Sequence, residues 1–165
     1  MNIRDYIPND WPEVEAIYWQ GIKTRIATFD TKPRSQEAWE SGTLDNTQRV
    51  AIADYGRIAA IACLWPTSAR HCYRGVVEVS IYVHEDFRGN GLGVMMLLDM
   101  NDIAESSGHW MQQAAISSDN KASIRAHEKA GYRIVGTREK IAEVGGVWSD
   151  TVLMERRSRT VNWPV

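Results

Sequence analysis

The residues whose types and spacing point most clearly to chemistry form a glycine-rich stretch, Arg88-Gly89-Asn90-Gly91-Leu92-Gly93. It lies between a predicted strand and a predicted helix, so several glycine amides stand at a helix N-terminus. Such amides bind anions because the first turn of a helix leaves its N–H groups without intrahelical partners. Glycine also lets the backbone approach phosphate oxygens closely, and Arg88 can add a charge-assisted hydrogen bond. The stretch therefore indicates a phosphate site, although glycines needed only to begin the helix would give the same pattern.

The spacing of the glycines excludes two common nucleotide-binding motifs. The stretch lacks the lysine and the hydroxyl residue of G-x-x-x-x-G-K-[ST], and Val94 stands where G-x-G-x-x-G, counted from Gly89, needs its third glycine. A dinucleotide-binding unit normally begins after an early strand, whereas this stretch follows about four predicted strands. Hydride transfer with a dinucleotide is therefore disfavoured.

The elements on either side of the glycine-rich stretch determine which side chains lie close to it. Residues Val76 to His84 alternate in polarity as a strand does. One face is apolar, with Val77, Val79, Ile81 and Val83, and the other carries Glu78, Ser80 and Tyr82. After the stretch, apolar residues at helical spacing from Met96 to Ala104 predict an amphipathic helix that ends at Gly108. We expect the chemistry on the polar face of this strand.

The rest of the chain supplies strands and helices in alternation, and no internal repeat or linker is visible. The predicted strands are Ile3–Tyr6, Arg49–Ala53, Ile58–Trp65, Trp110–Ile116, Tyr132–Val135 and Val147–Met154, and further helices follow Asp10, Ser35 and Asn120. Residues 24–32 are predicted to form a loop. This order predicts an α/β fold with a mixed, mostly antiparallel central sheet and helices on both faces.

Length and composition predict a single domain over residues 1–165, with residues 156–165 as a loose polar tail. Apolar residues make up 44% and charged residues 24%, and no run approaches the ~20 apolar residues of a membrane span. The N-terminal segment lacks the features of a secretory signal, so we expect a cytoplasmic protein. A net charge of −2 offers no broad basic surface for nucleic acid. Cys63 and Cys72 have no partners at ligand spacing, so no metal site and no disulfide framework are predicted.

Two motifs together resemble the GCN5-related N-acetyltransferase superfamily. Arg88-x-x-Gly91-x-Gly93 after a strand is similar to its acetyl-CoA signature, and the segment from Asn120 to Gly131-Tyr132 is similar to its later helix. More specifically, the chain resembles the phosphinothricin N-acetyltransferase family. The segments that carry this resemblance are Ala27-Thr-Phe-Asp30, Tyr73-Arg-Gly-Val-Val-Glu78, Ser80-Ile-Tyr-Val83, Ala122-Ser-Ile124, His127-Glu-Lys129 and Trp148 with Asp150. This resemblance, rather than periodicity, carries the functional prediction.

The resemblance implies the N-acetyltransferase fold, with acetyl-CoA as cosubstrate and no metal. The positions that would bind acetyl-CoA are Arg88, Gly89, Asn90, Gly91, Leu92 and Gly93 at the pyrophosphate, Tyr82 and Val83 on the strand edge, and Asn120 and Ser123 at the pantetheine. Backbone N–H groups of the edge would polarise the thioester carbonyl. Asn120 can instead cap the helix.

The resemblance also implies two candidate catalytic residues. An α-amine is mostly protonated at neutral pH, so its attack requires a base. Glu78 matches the family's catalytic glutamate and would take the proton directly or through a water, unless it is exposed or paired with Arg74. Where many superfamily members have a tyrosine, this chain has His127, which is a candidate acid for the leaving thiolate, a cofactor contact or a packing residue.

The acceptor is expected to be a small amino-acid-like molecule such as phosphinothricin, methionine sulfoximine or methionine sulfone. Thr28, Phe29, Tyr73 and Arg74 match substrate-pocket positions of the family, with Arg74 as the clamp for a carboxylate. The resemblance further implies a homodimer whose neighbouring chains complete the pocket. This chain departs from its relatives at Val79, where they carry histidine, and at Gly145, where they carry an aromatic residue or histidine.

The sequence is also compatible with two other functions. A protein N-terminal or lysine acetyltransferase uses the same fold and would acetylate peptides rather than free amino acids. A CoA-binding module without catalysis would bind acetyl-CoA and transfer nothing, although the presence of Glu78 argues against it.

Overall fold

A computed structural model of the chain describes residues 1–162. Its strands are β1 (Asn2–Asp5), β2 (Arg49–Ile52), β3 (Ile58–Pro66), β4 (Val76–Val83), β5 (Met111–Ser117), β6 (Arg133–Val144) and β7 (Val147–Arg157). Its helices are α1 (Trp11–Thr24), α2 (Gln36–Gly42), α3 (Leu92–Ser106) and α4 (Lys121–Lys129). None of these helices is long and apolar enough to cross a membrane.

All seven strands form one sheet in the order β1-β2-β3-β4-β5-β7-β6. The pair β4–β5 is parallel, and the other neighbouring strands are antiparallel. The predicted mixed, mostly antiparallel sheet is confirmed. The parallel pair is also where α3 connects two neighbouring strands, as a parallel pairing requires a crossover.

Helices cover both faces of the sheet, as predicted. Alternating residues of β3 separate the two faces, because successive side chains in a strand point in opposite directions. Ala62 and Leu64 pack with Met96 and other buried residues of α3. Cys63 packs on the other face with α1 and with Trp39 of α2. The polar residues of β4 therefore face the side of the sheet that α1 and α2 cover.

Side-chain caps fix the starts of two helices. The Ser35 hydroxyl accepts a hydrogen bond from the Ala38 amide at 3.2 Å and caps α2, as predicted. Asp10 precedes α1 without capping it through its side chain, because its carboxylate binds Arg4 at 2.7 and 2.8 Å.

The C-terminal hairpin is longer than the sequence pattern predicts. Strands β6 and β7 meet at a two-residue turn, Gly145-Gly146, with φ angles of +60° and +82° that favour glycine. The prediction of a loose tail from residue 156 is wrong within the described part of the chain. Strand β7 continues to Arg157, and the hydroxyl of the buried Ser158 accepts hydrogen bonds from two following amides at 3.1 Å. Residues 163–165 of the predicted tail lie outside the described residues.

Candidate active site

The glycine-rich stretch forms the turn that leads into α3. Gly89 and Gly91 have φ angles of +83° and +77°, in the left-handed region that glycine adopts without a steric penalty. A Cβ atom at either position would meet nothing within 4 Å, so backbone conformation rather than space selects glycine here. Gly91 is the N-cap of α3 and offers no side-chain cap, which leaves the first amides of the helix available to an anion. Arg88 donates from Nε to the Val83 carbonyl at 3.1 Å, which anchors it beside the turn.

A cavity of about 780 Å³ begins at this turn and reaches the middle of the sheet. Its lining includes Arg88, Gly89, Gly91, Leu92 and Gly93, whereas Asn90 is exposed and does not line it. Five of the six residues of the predicted phosphate turn therefore face a common space. The predicted contact of Asn90 with the cosubstrate stays a prediction, since its side chain is exposed at the turn.

The cavity exists because the sheet splits between β4 and β5. The two strands pair only through the first three residues of β4, which end at Glu78. Beyond that point β4 pairs with β3 alone and β5 pairs with β7 alone. The cavity lies in this gap, lined by residues 79–83 of β4 and 114–117 of β5. Two strand edges with unpaired backbone groups thus face a space that an extended ligand can enter.

The backbone of β4 shows which residues face the gap. The His84 amide donates to a carbonyl of β3 at 2.9 Å, and the Gly75 carbonyl accepts from the first residues of β5. Because backbone groups of successive strand residues point to opposite edges, odd-numbered residues face β5 and even-numbered residues face β3. Val79 and Val83 therefore present backbone groups to the gap. Tyr82 does not, and it lines the cavity with its side chain instead.

Glu78 lies where the split begins and lines the cavity. Its neighbours in the sheet are Trp65 of β3 and Gln113 of β5. Gln113 Nε2 donates to Glu78 Oε2 at 3.1 Å. The possible ion pair with Arg74 is not formed, since the Arg74 guanidinium binds the His71 carbonyl at 3.2 Å and lies over the Trp110 ring at 5.1 Å.

His127 is buried in α4 and lines the cavity. Its Nδ1 lies 2.8 Å from the Ser123 carbonyl, which can only accept, so Nδ1 carries the proton and Nε2 has a free lone pair. Nε2 is buried and has no hydrogen-bond partner within residues 1–162. Burial lowers the pKa of His127 below its ordinary value, so the ring is neutral at pH 7. The ring contacts Tyr132 edge-on, with centroids 5.0 Å apart.

Asn120 and Ser123 stand at the start of α4, and both line the cavity. The Asn120 Oδ1 accepts a hydrogen bond from the Ser123 amide at 3.1 Å, so the capping interpretation of Asn120 is confirmed. Its Nδ2 also donates to the Ile26 carbonyl at 3.3 Å. The cap therefore fastens α4 to the loop that follows α1.

The four predicted acceptor residues do not lie together. Thr28 and Phe29, in the loop after α1, line the cavity. Tyr73 and Arg74 do not, because they belong to an exposed turn before β4 whose side chains pack on neighbouring surface residues. Tyr73 lies beneath the Arg70 guanidinium, 5.5 Å from its ring centroid. Within the single chain, the predicted clamp Arg74 is outside the cavity.

A different cation, Arg34, lines the cavity on the side of Glu78. Its Cζ lies over the Trp65 ring at 4.8 Å, and its Nε is 3.7 Å from Asp30 Oδ2. Tyr18 donates a hydrogen bond to Asp30 and contacts Arg34, and burial together with Asp30 raises the pKa of Tyr18 to about 12. No motif in the sequence marks Arg34. The only local sequence signal for Arg34 is an acidic residue, Asp30, four positions before it. Both residues lie in a segment without periodicity.

The two departures from the relatives occupy different places. Val79 is 5% exposed and packs with α3, on the face of β4 opposite to Glu78. Gly145 lies at the tip of the C-terminal hairpin and is not part of the cavity lining in the described chain. Neither residue lies on the face of the sheet that carries Glu78 and Trp65, so neither departure alters the side chains of that face.

Comparisons with known proteins agree with this geometry. Residues 11–132 match the Acetyltransferase (GNAT) family. An L-methionine sulfoximine/L-methionine sulfone acetyltransferase of Pseudomonas paraeruginosa is 30% identical, over 93% of this chain and 92% of its own. The phosphinothricin N-acetyltransferase of Alcaligenes faecalis is 30% identical, over 90% of this chain and 78% of its own.

Solved structures give the same result. A GNAT superfamily phosphinothricin acetyltransferase from Sinorhizobium meliloti, in complex with AcCoA, superimposes with a TM-score of 0.85 at 25% identity, over 94% of this chain and 87% of the other. The family match, the relatives and the shared fold therefore show that the chain belongs to the GNAT family of acetyltransferases.

Proposed function

We propose that the protein transfers an acetyl group from acetyl-CoA to the α-amine of a small amino-acid-like acceptor, of the phosphinothricin, methionine sulfoximine or methionine sulfone type. One observation carries this proposal. A single cavity joins an anion-binding turn, two open strand edges and the carboxylate of Glu78. The names of the relatives support the class of acceptor.

The residues around the gap fit acetyl-CoA. The amides at Gly91 and the following residues, together with Arg88, would hold the pyrophosphate. The backbone groups of β4 between Val79 and Val83 would hydrogen-bond the pantetheine arm and orient the thioester carbonyl. When bound, acetyl-CoA supplies the activated acetyl group.

Glu78 is the proposed proton acceptor. The α-amine of an amino acid, with a pKa near or above about 8, is mostly an ammonium ion at neutral pH and must lose a proton to attack. Glu78 lies where the gap closes, so an amine beside it also lies at the end of the open edge of β4. A water between Glu78 and the amine would serve the same purpose.

Direct transfer to the amine is favoured over an acyl-enzyme on cysteine. Cys63 lines the cavity, but burial raises the pKa of its thiol to about 12, so little thiolate exists at neutral pH. Cys72 is exposed and does not line the cavity. We therefore assign no covalent intermediate.

His127 fits a cofactor contact better than an acid. Its one ring proton is directed to the Ser123 carbonyl, and its free Nε2 can only accept a hydrogen bond while the ring is neutral. An orphaned, buried acceptor of this kind is satisfied if the bound cosubstrate presents an N–H or a thiol group to it.

We also propose a homodimer, as the resemblance implies. The C-terminal hairpin, including the edge strand β6, exposes large apolar side chains, among them Ile134, Ile141, Val147 and Trp148, which are 48% to 63% exposed. Light scattering of the purified protein tests this directly, and a monomeric mass contradicts it.

The acceptor proposal is tested by monitoring CoA release with a panel of free amino acids, methionine sulfone, methionine sulfoximine, phosphinothricin, polyamines and peptides. We expect the highest kcat/KM with the free amino-acid derivatives. Preferential acetylation of peptide N-termini or lysines would contradict the proposal and favour a protein acetyltransferase. Tight binding of acetyl-CoA without transfer to any amine would favour a non-catalytic module.

A further inference from the structure

The cavity has a cation on the face of the sheet that carries Glu78, and this cation is Arg34 rather than Arg74. Among the described residues that line the cavity, the other cationic side chains are Arg88 beside the glycine turn and Arg125 and Lys129 on α4. These three belong to the end where the phosphate turn and α4 meet. Arg34 lies instead over Trp65, on the face of the sheet that carries Glu78.

The platform beneath Arg34 is held in place on two sides. Trp65 Nε1 donates to the Ser80 hydroxyl at 3.0 Å. The far edge of the Trp65 ring lies against Gly42, where a Cβ atom would come within 2.8 Å of it. The planar guanidinium stacks on this ring with its Cζ 4.8 Å from the centroid. Arg34 is therefore positioned by the ring.

The platform also sets the relation of Arg34 to Glu78. Trp65 and Glu78 are directly opposite each other in the antiparallel pair β3–β4. Directly opposite residues point to the same face, with Cβ atoms about 4.5–5.5 Å apart. A cation stacked on Trp65 and a carboxylate from Glu78 thus lie on the same face of the sheet and line the same cavity. In an α-amino acid the amine and the carboxylate are attached to one carbon atom, so a single acceptor can reach both.

Arg34 keeps donors available for a ligand. Its contacts are with Asp30, at 3.7 Å from Nε, and with the Tyr18 hydroxyl. The guanidinium has five N–H donors, and its side chain is 48% exposed. Asp30 Oδ2 is also occupied, because it accepts the hydrogen bond from Tyr18. The Asp30 carboxylate therefore holds Arg34 in position without using all of its donors.

We propose that Arg34 is the specificity-determining residue that binds the carboxylate of the acceptor, in the place that the resemblance assigns to Arg74. This inference rests on the proposed function, since it concerns the acceptor of that same reaction. Arg34 binds one end of the zwitterion while Glu78 receives the proton from the other. Acceptors without a carboxylate lose the contact with Arg34 and keep the one with Glu78.

The test compares methionine sulfone with 3-(methylsulfonyl)propan-1-amine, which is the same molecule without its carboxylate. Steady-state CoA release gives kcat and KM for each acceptor with the unmodified protein and with Arg34→Met, Arg34→Lys and Arg74→Met. Methionine retains much of the volume that packs on Trp65, and a thermal melt of each variant checks that it is folded. The two amines differ in basicity. This difference does not affect the result, because KM for each acceptor is compared between protein variants and not between acceptors.

We expect Arg34→Met to raise KM for methionine sulfone by about 10- to 100-fold, as loss of a charge-assisted hydrogen bond does. KM for the amine should change by less than about threefold, since that molecule has no group for Arg34 to bind. Arg34→Lys should recover part of the preference for the carboxylate through its charge, and Arg74→Met should leave it unchanged.

Two results would overturn the role of Arg34 while leaving the proposed function intact: a preserved preference for the carboxylate in folded Arg34→Met, or loss of that preference in Arg74→Met instead. If the unmodified protein acetylates none of the amines tested, the proposed function itself fails and the role of Arg34 fails with it. If it prefers polyamines to the amino-acid derivatives, the carboxylate clamp is refuted.

Discussion

Replacement of Glu78 by glutamine tests the proton acceptor with little change in the shape of the site. Glu78 Oε2 accepts a hydrogen bond from Gln113 Nε2 at 3.1 Å, and the amide oxygen of glutamine can accept the same bond. The variant therefore loses the negative charge and the basic oxygen but keeps the contact that orients the side chain. We expect its folding stability to be close to that of the original protein.

The expected loss of activity follows from the role of a general base. A positioned base contributes about 10²- to 10⁴-fold to the rate, which corresponds to about 2.7–5.5 kcal/mol of activation free energy. We expect kcat/KM for the acceptor to fall by this factor at neutral pH. The affinity for acetyl-CoA should stay within about twofold, because Glu78 lies at the closed end of the gap and the phosphate turn lies at the other.

Two measurements make the test decisive. Activity of Glu78→Gln should rise with pH, since the fraction of free amine grows about tenfold per pH unit below the pKa of the amine. Gln113→Leu is the matched control, because it keeps the carboxylate and removes only its hydrogen bond. Its activity should fall by about tenfold, the effect of one hydrogen bond to a charged group. A Glu78→Gln variant with more than about a third of the original activity at neutral pH would refute the assignment.

Three further predictions concern the turn, the buried histidine and the packing beside β4. Gly91→Ala places a Cβ at a φ of +77°, which costs about 1–2 kcal/mol. If the turn relaxes in the free variant, acetyl-CoA must restore it, so calorimetry should show a Kd for acetyl-CoA that is raised about 5- to 30-fold, and unchanged affinity contradicts the role of the turn. Burial holds the pKa of His127 below 6.5, so below that pH the unfolded chain binds a proton that the folded chain does not, and the free energy of unfolding decreases. In urea unfolding, His127→Phe should make this decrease with falling pH less steep. An equally steep decrease in the variant argues against a buried, neutral His127. Gly75→Ala brings a Cβ to 2.1 Å from the Trp110 ring and should destabilise the protein by about 1–3 kcal/mol, whereas Gly136→Ala, with nothing within 4 Å, serves as the control in the same thermal melts.

Local sequence determined the features that depend on neighbouring residues. Alternation in β4 placed Glu78 and Tyr82 on the face opposite to Val79, because side-chain direction in a strand follows directly from residue order. Glycine at positive φ marked the turn before α3, and the Asn120 side chain marked the start of α4. These features require no knowledge of the rest of the chain.

The extents of several elements were less predictable. The C-terminal strands continue past their apolar cores, because pairing between β6 and β7 supplies backbone hydrogen bonds to polar stretches that have no strand pattern of their own. Ser158 is buried for the same reason, since β7 carries it against the start of β5. Composition alone made this segment look like a loose tail.

The composition of the active site depended on tertiary structure. The gap between β4 and β5 arises because β5 pairs with β7 along its whole length but with β4 only as far as Gln113, and no residue in either strand signals where that second pairing ends. Arg34 lines the cavity because the loop after α1 folds over Trp65. Arg74 does not line it, because the turn before β4 packs outward against Trp110. Sequence by itself determined the family, the glycine-rich turn before α3 and the polar face of β4. Only the tertiary structure decided that Arg34 rather than Arg74 lines the cavity, because that depends on contacts between segments far apart in the chain.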